Sequence, residues 1–165
     1  MDLLTITGLA DAARRHSPAL PVNIYGIIRA HGIDVHYIRA SDKFTGVYTC
    51  VEGQPVILLN QRNAAVRRRF TAAHELYHHL SCERDETETR PLFSGCRTSL
   101  GAEEMAVERC ADRFATAILM PAAAVAEIAR QGLTREAMAR HFCVSMEAMR
   151  IRLLGLMLED VLERI

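Results

Sequence analysis

At 165 residues, half of them hydrophobic, the chain is long enough to bury a real core and too apolar to be disordered. Its 20 basic and 20 acidic side chains cancel, which removes any global pull toward nucleic acid or an acidic membrane. Five cysteines, an odd number with no CxxC pair, argue for reduced thiols and mostly core positions rather than a disulfide framework. With the acidic start Met1-Asp2 and no apolar run of membrane length, a cytoplasmic protein without a membrane segment is expected.

Residues 3–19 have helical character up to the Pro18–Pro21 stretch, and Val22–His31 reads as a short helix stopped by Gly32. Ile33–Ile38 alternates as a strand does. Gly46–Val51 and Pro55–Leu59 read as two more strands, joined in a hairpin through Glu52-Gly53-Gln54. Asn60–Asn63 is a turn, and a long helix follows from about Ala64 to Leu80. The order predicts an α+β fold with a small antiparallel sheet packed on helices.

The long helix carries His74-Glu75-Leu76-Tyr77-His78, an HExxH pentapeptide. Positions i and i+4 share one helix face, so both imidazoles can turn toward one metal ion. Glu75 sits one residue along, where its carboxylate reaches a water at the open position without filling the coordination site. A hydrolytic zinc centre asks for that set: two neutral nitrogens, a third protein ligand, an open position and a base. Polar side chains on a solvated face are the bland alternative. Against it, Arg69-Phe70-Thr71-Ala72-Ala73 before the motif and Leu76-Tyr77 inside it predict an amphipathic helix packed on one side. For the cluster Arg67-Arg68-Arg69, a solvated or intramolecularly paired face is favoured over an acidic partner.

Two histidines need a third donor. Residues 108–121 form a helix rich in Ala, Leu and Met that stops before Pro121. Within it Glu108 is bracketed by Val107, Cys110 and Ala111, and an inward carboxylate there needs a partner, which zinc supplies. Asp112 follows one turn later, placed to accept the free ring N–H of His74 or His78 and so orient the ligand. The competing reading pairs Glu108 and Asp112 with Arg109, Arg113 or other arginines. Cys82 extends the spacing to i+8, but eight residues of straight helix span roughly 12 Å against metal–ligand bonds of about 2.0–2.3 Å. It is therefore demoted. His79 is rotated about 100° from His78 and reads as a second-layer or surface group. Glu103 and Glu104 open the same helix and are ranked below Glu108 as donors.

The polar stretch 81–101 joins the two ligand-bearing helices and is placed either to gate the site or to act as a plain connection. After Pro121 comes a further helix; then Thr134 can cap Arg135–His141 and Ser145 can cap Met146 to about Asp160. This pair reads as helix-turn-helix-like. Residues 133–165 hold five arginines against five acids, and the second helix is rich in Met, Ile and Leu, so packing or partner docking is favoured over direct DNA binding.

The chain resembles the ImmA/IrrE family of metallo-endopeptidases. The resemblance rests on Ile57-Leu58-Leu59-Asn60, on Arg69 to His78, and on Glu108, Ala111, Asp112, Phe114, Ala115 and Ile118-Leu119-Met120-Pro121. It continues downstream through Ala139, Phe142, Val144-Ser145, Ala148-Met149 and Arg152-Leu153, covering about residues 22–156. It implies a compact zincin-like domain, taken here as residues 1–122, with 123–165 as a helical extension packed on it. It also implies a single Zn2+ held by His74, His78 and Glu108, with Glu75 as the base. The implied partner is a protein substrate, a helix-turn-helix repressor whose cleavage releases genes of a mobile element or stress response. Tyr77 stands where a small residue is common, which would narrow the cleft, and the 81–101 stretch looks particular to this chain. For the oxyanion, Tyr48, His36 and the arginines are all candidates. The rival class is a non-catalytic zincin-fold module that binds a regulatory partner.

Overall fold

The computed structural model describes residues 3–82, 102–158 and 160–161. In chain order these are α1 (Leu3–Arg14), α2 (Ile24–Ala30), β1 (Asp34–Ile38), β2 (Gly46–Val51), β3 (Gln54–Asn60) and α3 (Ala65–Cys82). They continue with α4 (Ala102–Leu119), α5 (Ala122–Arg130), α6 (Arg135–Phe142) and α7 (Met146–Gly155). The class is α+β, with a three-stranded sheet and helices on either side of α3. No described helix is long and apolar enough to cross a membrane.

β2 and β3 form the expected hairpin, tightened to a two-residue turn in which Glu52 (φ 52°) and Gly53 (φ 84°) are both left-handed. That is the type I′ geometry whose twist matches the flanking strands. The strand order is β1-β3-β2, and β1 runs parallel to β3. The sheet is therefore mixed, which corrects the wholly antiparallel sheet expected from sequence. The physical reason lies at Asn60, the last residue of β3 and fully buried. Residues 39–45 must carry the chain past the end of β3 to its far side, roughly 10 Å or two strand spacings. The Asn60 carboxamide donates to Ser41 O and Phe44 O, both at 3.0 Å, and accepts from Arg62 N at 3.1 Å. It supplies the polar partners that this crossing needs.

α3 is the hub. Every residue from Thr71 to Leu80 is buried, so the one-sided packing expected from the sequence is wrong. β2 lies along one side of α3, close enough that a Cβ on Gly46 would sit 2.5 Å from Thr71 Cγ2. On another side Ala72, Ala73 and Leu76 join Ala111, Phe114 and Ala115 of α4 in one core, where small residues let the helices approach. α1 packs outside α4 and adds Ile6, Ala10 and Ala13 to the same core. Tyr77 is 3% exposed with its ring against Phe114, 5.7 Å between centroids, so it fills this interface instead of narrowing a cleft.

The C-terminal helices join the same core through Met138, Phe142, Met149 and Leu153. Thr134 and Ser145 cap α6 and α7 by accepting from Ala137 N and Ala148 N. α6 closes with Cys143 in left-handed geometry (φ 51°) and Val144 N bonded back to Ala139 O. α7 ends at Gly155 rather than near Asp160, because Met157 (φ 56°) turns left-handed and Leu158 N bonds to Leu153 O. Val161 is thereby buried. Arg152 donates to Met120 O at 2.9 Å. Arg69 reaches Val22 O at 2.9 Å and Cys143 O at 3.3 Å, and Arg68 bonds Gln61 O and Asn63 O. Two of the three clustered arginines are thus engaged within the chain, and Arg67 is exposed. Cys110 is buried, Cys143 half-buried and Cys50 exposed.

Candidate metal centre

The buried polar and charged residues among those described are Asn60 and a run on α3: Thr71, His74, Glu75, His78 and His79. Polar groups are buried at a cost unless something pairs them, so their concentration on one helix marks a site.

α3 presents two functional faces. His74 and His78 look toward α4, and their Nε2 atoms approach to 3.2 Å. Glu108, on α4, reaches both: Oε2 lies 3.3 Å from His74 Nε2 and Oε1 3.3 Å from His78 Nε2. The edge of a tetrahedron built on zinc–nitrogen or zinc–oxygen bonds of about 2.0–2.1 Å is roughly 3.3–3.4 Å. The Nε2–Nε2 separation matches one such edge, each carboxylate oxygen lies at that distance from one imidazole, and the three residues are the one set of donors that could hold a metal among the described residues. Glu103 and Glu104 are exposed at the start of α4, and α3 continues as helix through Cys82.

Asp112 accepts from His74 Nδ1 at 2.9 Å. With that nitrogen committed, Nε2 is the one His74 turns toward the shared point. No hydrogen-bond partner for His78 Nδ1 lies among the described residues. Burial works against charge on His74, yet the bonds from Asp112 and Glu108 outweigh it and raise its pKa to about 9. Burial likewise works against ionised Glu108, but the two imidazoles hold it well below the usual carboxylate range. Both carboxylates meet imidazoles.

Glu75 faces away from α4. It is 1% exposed, and its Oε2 accepts from the backbone N–H of Tyr48 on β2 at 2.9 Å. The Tyr48 hydroxyl lies 3.0 Å from His79 Nδ1, with the rings edge to face at 5.4 Å. His79 is therefore buried beside the site, not on the surface. Of the oxyanion candidates, Tyr48 lies beside Glu75, whereas His36 is exposed on β1 across β3 from β2. The sequence carried no signal that Tyr48 and His79 meet. Of the stretch 81–101 expected to gate or connect, residues 81–82 end α3 and residues 83–101 lie outside the described residues.

The peptidase M78 family model, described as the IrrE N-terminal-like domain, matches residues 28–154. No curated protein matches the chain. Among solved structures the fold is similar to a Mycobacterium tuberculosis transcriptional regulator, with a TM-score of 0.65 and 20% identity. The match covers 91% of this chain and 46% of that one, so the chain spans about half the length of the structure it resembles. At that identity the likeness concerns the fold alone.

Proposed function

The chain belongs to the IrrE N-terminal-like peptidase family, and we propose that it is a zinc-dependent endopeptidase acting in the cytoplasm on a helix-turn-helix transcriptional repressor. The observation that carries this reading is the convergence of His74, His78 and Glu108, with the buried Glu75 next to His74 on the same helix. His74 and His78 would hold the metal through Nε2, Glu108 would complete the protein ligands, and Asp112 orients His74 through Nδ1. When bound, zinc supplies Lewis acidity toward the scissile carbonyl and an acidified water. Glu75 takes up a proton and returns it to the leaving amine, in a position screened from bulk solvent. The family supports a peptide bond as the target, and cleavage of a repressor would release the genes it silences.

A non-catalytic binding module has no use for a base beside the donors, and Glu75 therefore favours the enzyme. Two measurements test the proposal. Metal content by mass spectrometry, after dialysis without chelator, should be stoichiometric zinc in the wild type and much less in Glu108→Ala. Candidate repressors incubated with zinc-loaded chain should be cut by the wild type, and left intact by a Glu75→Gln variant that still holds zinc. Equal metal in both proteins, or cleavage by Glu75→Gln at the wild-type rate, would refute the assignment.

A further inference from the structure

We infer that Tyr48 is the positioning residue for Glu75: its backbone N–H holds the carboxylate while its phenol latches strand β2 to His79. The inference rests on the peptidase reading above and adds to it two residues outside the HExxH motif.

The ladder geometry accounts for the first contact. Asn60 N donates to Thr45 O, which makes Thr45 and Asn60 a hydrogen-bonded pair. In an antiparallel ladder such pairs alternate, so Val47, Thr49 and Val51 bond to β3 while Gly46, Tyr48 and Cys50 turn their N–H groups off the sheet. β2 is an edge strand, and the outward N–H of Tyr48 meets Glu75 Oε2 at 2.9 Å. The second contact comes from the same residue, whose hydroxyl lies 3.0 Å from His79 Nδ1. Glu75 and His79 are four apart on α3, so one residue of β2 spans a full helical turn. Thr71 precedes them on the same row, and Gly46 lies against it with no room for a Cβ. β2 is thus seated along the row Thr71, Glu75 and His79, and the phenol–imidazole contact keeps it from drifting. Zinc ligation uses the other face, toward α4. Loss of the latch should therefore disturb the base and leave the ligands alone.

The test uses the full chain and two readouts. In metal-free protein, amide hydrogen exchange at Tyr48 should be slow in the wild type and roughly tenfold faster in Tyr48→Phe, the worth of about one hydrogen bond. With zinc loaded, acetohydroxamate serves as a probe, because it binds the metal and shares a proton with the base. Tyr48→Phe should retain zinc and its melting temperature to within a few degrees, yet bind the hydroxamate roughly tenfold more weakly. In a Glu75→Gln background the same substitution should change hydroxamate binding hardly at all, because the effect passes through Glu75. A merely structural loss would weaken both backgrounds alike. Unchanged exchange at Tyr48, or equal weakening in both backgrounds, overturns the inference. A wild-type chain that takes up no zinc refutes the peptidase reading instead, and the exchange result alone then decides whether the latch exists.

Discussion

Replacing Asn60 with Ala should destabilise the fold by about 3 kcal/mol, and the structure says where that energy goes. The carboxamide is fully buried and makes three well-formed bonds: to Ser41 O and Phe44 O at 3.0 Å, and from Arg62 N at 3.1 Å. Contacts to Ala40 N and Ala40 O at 3.4 Å are too long to count fully. Each good bond contributes about 1 kcal/mol net, and an orphaned buried partner costs about 1–3 kcal/mol. Ser41 is exposed, so its carbonyl can recover water, which keeps the sum near the lower end. For a chain of this size the loss corresponds to a fall in melting temperature of roughly 6–12 °C. Urea denaturation followed by circular dichroism measures it directly, with Gln61→Ala as an exposed neighbour for control. A loss under about 0.5 kcal/mol would mean that the 39–45 crossing is held by something else, since that is the scatter of ordinary surface substitutions. Asn60→Asp should be worse than Asn60→Ala, because it sets an acceptor against two carbonyl oxygens.

Asp112→Ala removes the 2.9 Å bond to His74 Nδ1 and should weaken zinc binding by about 10–100-fold, read by competition with a chromophoric chelator. Binding within twofold of wild type would show that His74 is oriented by other means. Glu52→Asn should raise stability by about 0.5–1 kcal/mol, because asparagine tolerates the left-handed turn position far better than glutamate; no gain in the denaturation midpoint would contradict it. Burial pushes the Tyr25 phenol up to about 12, with the hydrogen bond to Tyr37 adding to the rise. Its folded value lies above the unfolded value of about 10, so its contribution to stability is complete below pH 10 and lost as pH rises through 12. Alkaline titration at 295 nm should therefore lose its highest component in Tyr25→Phe, and an unchanged curve would rule the assignment out.

Local chemistry was legible in the sequence wherever it depends on residues a few positions apart. The i, i+4 placement of His74 and His78 follows from helix geometry alone. The caps at Thr134 and Ser145, and the left-handed turn at Gly53, follow from the conformational preferences of those residues. Even so, local pattern misled where long-range packing decides. The pattern of α3 suggests one-sided packing, because its sequence cannot show that β2 and α4 cover different faces. Strands adjacent in sequence suggest strands adjacent in space and hence an antiparallel sheet, whereas Asn60 lets the chain pass over β3.

His74 and Asp112 are 38 residues apart, Tyr48 and Glu75 are 27 apart, and Tyr48 and His79 are 31 apart. Glu108 follows as a candidate from the chemistry of a missing donor and the burial that its neighbours imply. Tyr48 and His79 offered no such clue, because a tyrosine in a strand and a third histidine on a helix satisfy many environments equally well. The sequence by itself thus determined which side chains could bind a metal, since ligand type and helical spacing are local properties. Only the tertiary structure decided which groups aim them, because a hydrogen bond across thirty residues depends on the path of the whole chain between.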